Sequence, residues 1–511
     1  MNVTLINPNI VSQKDDFSGS GIPYMPSGLA HLAAYLREQG HAVTVVDAFG
    51  LAPDRIRATR THFIQGLTAE ETAARLPANA DLLGFYAHLT VTHPALLGII
   101  RAARVRFPKV PTMVLENVNK VNSYSLRQVY REFFDLGVDH VVLGYLERRT
   151  GRLLEALAAG NAGAAVDGVI SRVSGDKFLP PDDTGGNADL DGLPFPAWDL
   201  FPVENYWKLG YSHAPFTTAR YLPLLTSRGC PFNCGFCITP EVTDRHWNAR
   251  SAENVADEIQ HLQTRFGVGE FHIEDVNPTL DKKRIVRLSQ LLVERKARVI
   301  WKLAQGTKLE SLDEETISWM AEAGCRYVSF SPESGSPRVL QLMGKPVNLD
   351  HARDVARWLK RHGIYSQSCF VLGYPGEEDE DRKQSAALAR QLARIGVDEI
   401  ALFIITPMPG SRIFRPMGGQ ERALDELTFT PTWRPDYPRL ARHRKAIYVQ
   451  YLLLKLLFHP LRTFGYAWAL ATGRFQTKIE MTIYRKLKVL WLTAAGARRS
   501  FAEPRNTETP A

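Results

Sequence analysis

Residues 221–237 read YLPLLTSRGCPFNCGFC, a short apolar run that breaks into a loop carrying three of the chain's five cysteines. The Leu-rich run bounded by Thr-Ser and Arg-Gly reads as a buried strand ending in a turn. Cys230, Cys234 and Cys237 are separated by three and then two residues. Soft thiolates this close together suit an iron–sulfur cluster or zinc rather than a disulfide framework. Three thiolates can ligate three irons of a cubane, which leaves the fourth iron open to a non-protein ligand. A zinc knuckle needs a fourth ligand, and His246, the nearest, fits no usual short spacing.

Strand and helix patterns alternate on both sides of this loop. Downstream, 222–226, 270–273, 299–302, 327–331, 368–372 and 399–405 read as strands with helices between them. Six such units predict a partial (β/α) barrel with its chemistry at the strand C-termini. Upstream, residues 1–160 carry strand patterns at 3–6, 42–46, 82–86, 112–115 and 140–143, and helical patterns such as 126–136. The first helix has Leu29, Leu32, Ala33 and Leu36 at i, i+3, i+4 and i+7, stopped by Gly40. That alternation predicts a doubly wound parallel sheet whose ligands bind at the carboxyl ends of the strands. Residues 161–215 are rich in Gly, Asp and Pro and read as a linker. Residues 216–420 hold the barrel, and 421–511 form a helical C-terminal region.

The composition is that of a folded chain, 45% hydrophobic and 23% charged over 511 residues, enough for two or three domains. The N-terminus MNVTLINPNIV has no secretory pattern, and no uncharged apolar stretch reaches the roughly 18 residues of a spanning helix. Sparse cysteine suits a reducing compartment. These features place the chain in the cytoplasm, either free or peripheral at the inner membrane face. The net charge is +8, but from Arg439 to Arg499 thirteen Lys or Arg stand against Glu480 alone, so the rest of the chain is net acidic.

The cysteine spacing, with Phe236 just before the last cysteine, resembles the signature of the radical S-adenosylmethionine superfamily. The resemblance implies a [4Fe-4S] cluster on Cys230, Cys234 and Cys237, whose open iron chelates S-adenosylmethionine. One electron from an external donor of flavodoxin or ferredoxin type then releases a 5′-deoxyadenosyl radical. Residues 331–347, SPESGSPRVLQLMGKPV, resemble the family's ESGS segment and its Met-x-Lys. That match places Glu333 and Ser334 at the cofactor's ribose or amino group and Lys345 at its carboxylate. Gly373 and Gly376 follow the fifth barrel strand and permit close backbone approach. Glu274, Asp275 and Asn277 follow the second. Helix capping or loop solvation is the plain alternative for these carboxylates. Cys325 and Cys369 read as small buried residues rather than ligands. Arg228 stands to neutralise cluster charge or to form a surface salt bridge.

Residues 1 to about 420 resemble the cobalamin-binding subfamily, through NPN at 7–9, PSGLAHLAAYLREQGHAVTVVDA at 26–48 and VDHVVLGYLERRT at 138–150. Relatives carry Gly-Gly-Pro where this chain has LENVNKVNSYS at 115–125, and Gly-Glu-Gly-Glu where it has Gly144, Tyr145, Leu146 and Glu147. Asn117 and Tyr145 therefore stand where glycine admits the cofactor's nucleotide tail. The Asp-x-His-x-x-Gly motif of a lower histidine ligand is absent, which implies cobalamin held without one. The alternative is a flavodoxin-like domain that only shapes the substrate pocket.

In the C-terminal region, basic residues alternate with large apolar ones such as Tyr448, Tyr451, Leu454, Trp468 and Trp491. Such a segment suits an anionic membrane interface, a cover for the barrel's open side or, last in order, nucleic acid. The resulting expectation is a cobalamin-dependent radical enzyme that methylates an unactivated carbon of a hydrophobic, lipid-like or natural-product small molecule. Its rivals are a ring-forming or rearranging enzyme of the tetrapyrrole-cyclase kind and a non-catalytic binding protein with a structural metal site.

Overall fold

A computed structural model describes residues 1–14, 16, 19–120, 122–161, 163–174 and 189–502. Parts of the predicted linker (162 and 175–188) and of the predicted C-terminal region (503–511) lie outside the described residues.

The first sheet is parallel, in the order Ala42–Asp47, Asn2–Asn7, Leu82–Ala87, Thr112–Glu116 and His140–Val142. Alternate side chains of each strand enter opposite layers. Leu5 packs with Leu29, Leu32 and Leu154 on one face, while Ile6 packs with Leu96, Ile99 and Ile100 on the other. The chain begins in the middle of the sheet and winds first to one side, then to the other. The order therefore reverses between Asn2–Asn7 and Leu82–Ala87, where ligands of such sheets bind.

Two features depart from the linker expectation. Val169–Ser171 pairs antiparallel with His140–Val142, because its apolar Val-Ile can cover that open edge. Val203–Leu209 is a helix whose Tyr206 hydroxyl donates to Asp47 at 2.7 Å. A small antiparallel sheet of Ile10–Gln13, His62–Gln65 and Ile56–Ala58 was also not predicted.

The second sheet holds six parallel strands in chain order: Tyr221–Leu224, Glu270–Ile273, Ile300–Thr307, Cys325–Glu333, Tyr365–Leu372 and Glu399–Ile404. Phe271, Trp301 and Tyr327 are fully buried in its core. Register shifts between strands 300–307 and 325–333, and again between 325–333 and 365–372, bend the carboxyl ends where the site is built.

The C-terminal region folds into helices Tyr437–Phe458, Pro460–Thr472 and Lys478–Ala502. The first covers the outer edge of strand 399–404. Tyr448 accepts from the Leu402 N–H at 3.1 Å, Tyr451 donates to the Val397 carbonyl at 2.5 Å, and buried Lys455 reaches the Asp398 carbonyl. The barrel-closing alternative is therefore realised. Other faces of these helices leave Leu453, Leu457, Leu461, Trp468 and Trp491 exposed. Among the described residues, no helix is long and apolar enough to cross a membrane.

Candidate active site

Strand 221–224 runs into Ser227–Gly229, which pairs with Trp247–Ala249 and frames the cysteine loop. Gly229 has φ +79°, and a Cβ there would lie 2.0 Å from the His246 carbonyl, so only glycine fits. The loop is tied across the site by the Gly235 N–H donating to the Met343 carbonyl at 2.8 Å. Cys230, Cys234 and Cys237 are free thiols that line one cavity of about 620 Å³. Burial raises all three pKa values, that of Cys234 to about 12. Such thiols ionise when a bound cation replaces their protons. The backbone N–H of Thr239 donates to the Cys237 sulfur at 3.4 Å. Among the described residues, no three His, Cys, Asp or Glu side chains gather around a single-ion site.

Glu333 ends the fourth barrel strand with φ +62°, strained for a residue with a Cβ, and lines the cavity. Lys345 donates to it at 2.6 Å, and both are buried. Phe236 lines the same cavity and packs beside Val339, Met343 and Tyr374. Asn277 and Gln305 complete this wall. Cys369, expected only as core, also lines the cavity, whereas Cys325 is in the core and its sulfur approaches the Tyr327 carbonyl.

Several expected residues sit elsewhere. Glu274 is buried between the domains, held by Lys120 and 3.1 Å from the His213 ring nitrogen, because two cationic or polar partners converge on it there. Ser334 contacts Ser385 at 3.1 Å and accepts from the Ser336 N–H, closing the turn after Glu333. The Gly373 N–H donates to Glu377, and its carbonyl accepts from Arg434, so its turn belongs to the packing of the C-terminal region. Arg228 neither lines the cavity nor lies at the surface; it is paired with Glu147 of the first domain. Asp275 accepts from Thr226 and Ser227 and braces the strand before the loop.

The cavity also draws on residues that the sequence did not single out as site residues. Ile22, Tyr24 and Asn122 come from loops at the carboxyl end of the first sheet, and His213 from the linker. Tyr448, Lys478 and Arg485 come from the C-terminal helices. Tyr24 lies against His213 with ring centroids 4.4 Å apart and the ring planes tilted by 33°.

Residues 224–389 match the family model described as the radical SAM superfamily, covering the cysteine loop, Glu333, Lys345 and the central strands. Residues 224–389 are a radical SAM domain. An uncharacterized methyltransferase of Pyrococcus horikoshii is 28% identical, over 85% of this chain and 86% of that one. The cytidylyl-2-hydroxyethylphosphonate methyltransferase of Streptomyces wedmorensis is 34% identical, over 44% of this chain and 43% of its own length. Beyond the radical SAM core, the fold is shared with the radical S-adenosylmethionine methyltransferase TsrM of Kitasatospora setae, solved with cobalamin and a [4Fe-4S] cluster. The TM-score is 0.63 at 18% identity, covering 82% of this chain and 75% of that one.

Proposed function

We propose that this radical SAM enzyme is a cobalamin-dependent methyltransferase acting on a small molecule with a largely apolar body. The observation that carries the reading is convergence. The three thiols, the Glu333–Lys345 pair, the ligand-binding edge of the first sheet and an apolar wall from the last barrel strand all face one cavity.

The donor set fits each group. Cys230, Cys234 and Cys237 would hold the cluster. Glu333 and Lys345 offer a carboxylate and an ammonium to the amino acid end and ribose of S-adenosylmethionine. Asn122 Oδ1 is buried without a hydrogen-bond partner on the wall formed by the first domain, which suits the amide-fringed rim of a corrin ring. Bound there, the cluster supplies an electron for cleavage of S-adenosylmethionine and the corrinoid supplies a transferable methyl group. The chain's own part is to position and to exclude water. Phe236, Leu402, Phe403, Ile405 and Phe429 make much of the cavity apolar.

The nucleotide tail meets a different surface. Asn117 is buried and bonded to the His88 carbonyl at 2.9 Å, and Tyr145 is buried near Arg228. Among the described residues lining the cavity, His213 is the single histidine, and it is paired with Glu274. This supports a corrinoid held without a protein histidine below the cobalt.

We infer further that the exposed apolar faces of the C-terminal helices, flanked by basic residues, rest on an anionic membrane surface. An external one-electron donor of flavodoxin or ferredoxin type completes the reaction.

The test is anaerobic reconstitution followed by product counting. About four irons and four sulfides per chain are expected, with S-adenosylhomocysteine and 5′-deoxyadenosine both formed in the presence of substrate. Stoichiometric zinc without sulfide would overturn the radical assignment. No binding of hydroxocobalamin or methylcobalamin in equilibrium dialysis would overturn the methyl-transfer route, and 5′-deoxyadenosine alone would favour rearrangement.

A further inference from the structure

The last helix is fixed at its first turn by Glu399, which accepts the N–H groups of Lys478 and Ile479 at 2.9 and 2.7 Å. A carboxylate at a helix N-terminus is favourable there, and it sets the rotation of the helix. Lys478, Met481, Thr482 and Arg485 then share one face at helical spacing, and all four line the cavity.

Arg485 is only 4% exposed. Its Nη2 is buried with no hydrogen-bond partner among the described residues, and no described carboxylate lies within ion-pair distance. Asp16, on the facing wall, accepts through Oδ1 from the Gly19 N–H and the Thr430 hydroxyl. Burial lowers the pKa of Arg485, with Tyr211, Asp16 and Tyr24 acting in the opposite direction. A guanidinium taken from water without a partner is costly, and proteins otherwise pair or hydrogen-bond such a group.

The part of the wall built by the C-terminal helices carries the same sign, while Asp16, Glu333 and Glu399 line the cavity from other elements. Among the described residues, the C-terminal helices bring Arg444, Lys445, Lys478 and Arg485 to the cavity and no acid. These cations stand outside residues 224–389, so they are additions to the cluster and nucleoside machinery. Val449 and Leu452, which also line the cavity, are 48% and 40% exposed. The cavity therefore opens among apolar side chains and contains an unpaired cation.

We propose that Arg485 anchors an anionic oxygen group, a carboxylate or a phosphate, carried by the otherwise apolar substrate. The substrate is then an amphiphilic acid, with its apolar body along Phe403, Phe429 and Leu452. This rests on the reading of the cavity as a substrate site and adds the chemical class of the substrate.

The experiment is isothermal titration of the reconstituted full chain with dodecanoate, dodecyl phosphate and dodecanol. The wild type should bind at least one of the two anions about tenfold or more tightly than the alcohol, the usual range for a charge-assisted bond. Which anion binds more tightly tells carboxylate from phosphate. Arg485→Gln should abolish that preference, Arg485→Lys should retain part of it, and Lys488→Gln, on the same helix but outside the cavity, should leave it intact. Equal or absent binding of the three probes by the wild type overturns the proposal. So does an Arg485→Gln variant that loses S-adenosylmethionine or methylcobalamin binding while keeping the preference for alkyl anions. Preferential anion binding in a preparation unable to cleave S-adenosylmethionine would support this inference while defeating the radical reading beneath it.

Discussion

Arg228 donates two hydrogen bonds to the Glu147 carboxylate, at 2.9 and 2.7 Å, and both residues are buried. Arg228 stands two residues before Cys230, and Glu147 lies in the first turn of helix Leu146–Ala158 of the first domain. Burial works against the charge on Glu147, but the guanidinium more than offsets it and holds the carboxyl below its usual range. The pair thus ties the start of the cysteine loop to the sheet that faces it across the cavity.

Removing one member leaves the other buried and unpaired. Arg228→Met or Glu147→Leu alone should destabilise the chain by about 3–5 kcal/mol, and the double substitution should recover much of that loss. Denaturant titration of the two single variants and the double variant measures it. Additive losses would show that the two residues act separately. Loss of iron from either single variant, restored in the double, would tie the pair to the loop's conformation.

Glu333 and Lys345 make a separate prediction. The strained backbone of Glu333 is held by the 2.7 Å turn bond from the Ser334 N–H to the Pro332 carbonyl, which aims the carboxylate into the cavity. Glu333→Gln and Lys345→Met should each weaken S-adenosylmethionine binding about tenfold or more, the range for charge-assisted bonds. Equilibrium dialysis, with iron content as a second readout, checks it. A variant that loses iron in parallel would assign the pair to support of the cluster instead.

Acid should destabilise the chain in two stages. Burial pushes His31 and His88 down to about 3 and His213 to about 4 from an ordinary 6.5. Below pH 6.5 the unfolded chain binds protons that the folded chain refuses, so stability falls as pH drops from about 6.5 toward 4. Burial also disfavours a charged Glu274, yet His213 and Lys120 outweigh it and hold this carboxyl well below its ordinary 4.5. Its contribution is present above pH 4.5 and is lost as pH falls further. Scanning calorimetry from pH 7.5 to 4 should show a falling melting temperature, with a shallower first stage in a His31→Phe, His88→Phe double variant. A flat profile from 7.5 to 5.5 would refute the histidine assignment.

The strands were legible because each is a short apolar run between turn residues, and residues 221–237 pointed to a cluster through cysteine spacing, the placement of the loop after a strand and Phe236 before the last cysteine. Glu333, Lys345 and Phe236 were singled out by the resemblance of 331–347 and of the cysteine loop to the family's segments, and all three line the cavity. Glu274 and Arg228 were misplaced for one physical reason: a charged residue at a strand end can face a cavity or a neighbouring domain, and the sequence does not say which. Lys120 and Glu147, which decide the matter, lie 154 and 81 residues away from their partners. Arg485 was hidden in a basic run whose other members reach the surface, a backbone carbonyl or, for Arg462, the Asp398 carboxylate, so its buried Nη2 without a partner is visible only in three dimensions.

The exposed side of the C-terminal helices carries the last prediction. Leu453, Leu457, Leu461, Trp468 and Trp491 are 62–86% exposed, and Arg439, Arg442, Lys445 and Arg474 are exposed in the same segment, whose one acid is Glu480. Glu480 is itself buried and accepts the backbone N–H groups of Gln476 and Thr477, so it does not weaken the positive field at the surface. Apolar area and positive charge together favour an anionic bilayer over a neutral one, and salt screens the charge component within about 8 Å at physiological ionic strength. The full chain should co-sediment with phosphatidylserine-containing vesicles more than with pure phosphatidylcholine vesicles, and added salt should weaken the binding. Leu457→Asp with Leu461→Asp should remove most of it while cluster content stays unchanged, since neither side chain lines the cavity. Equal partition into both vesicle types, or binding untouched by the double substitution, would remove the membrane reading and leave these helices as the barrel's cover alone.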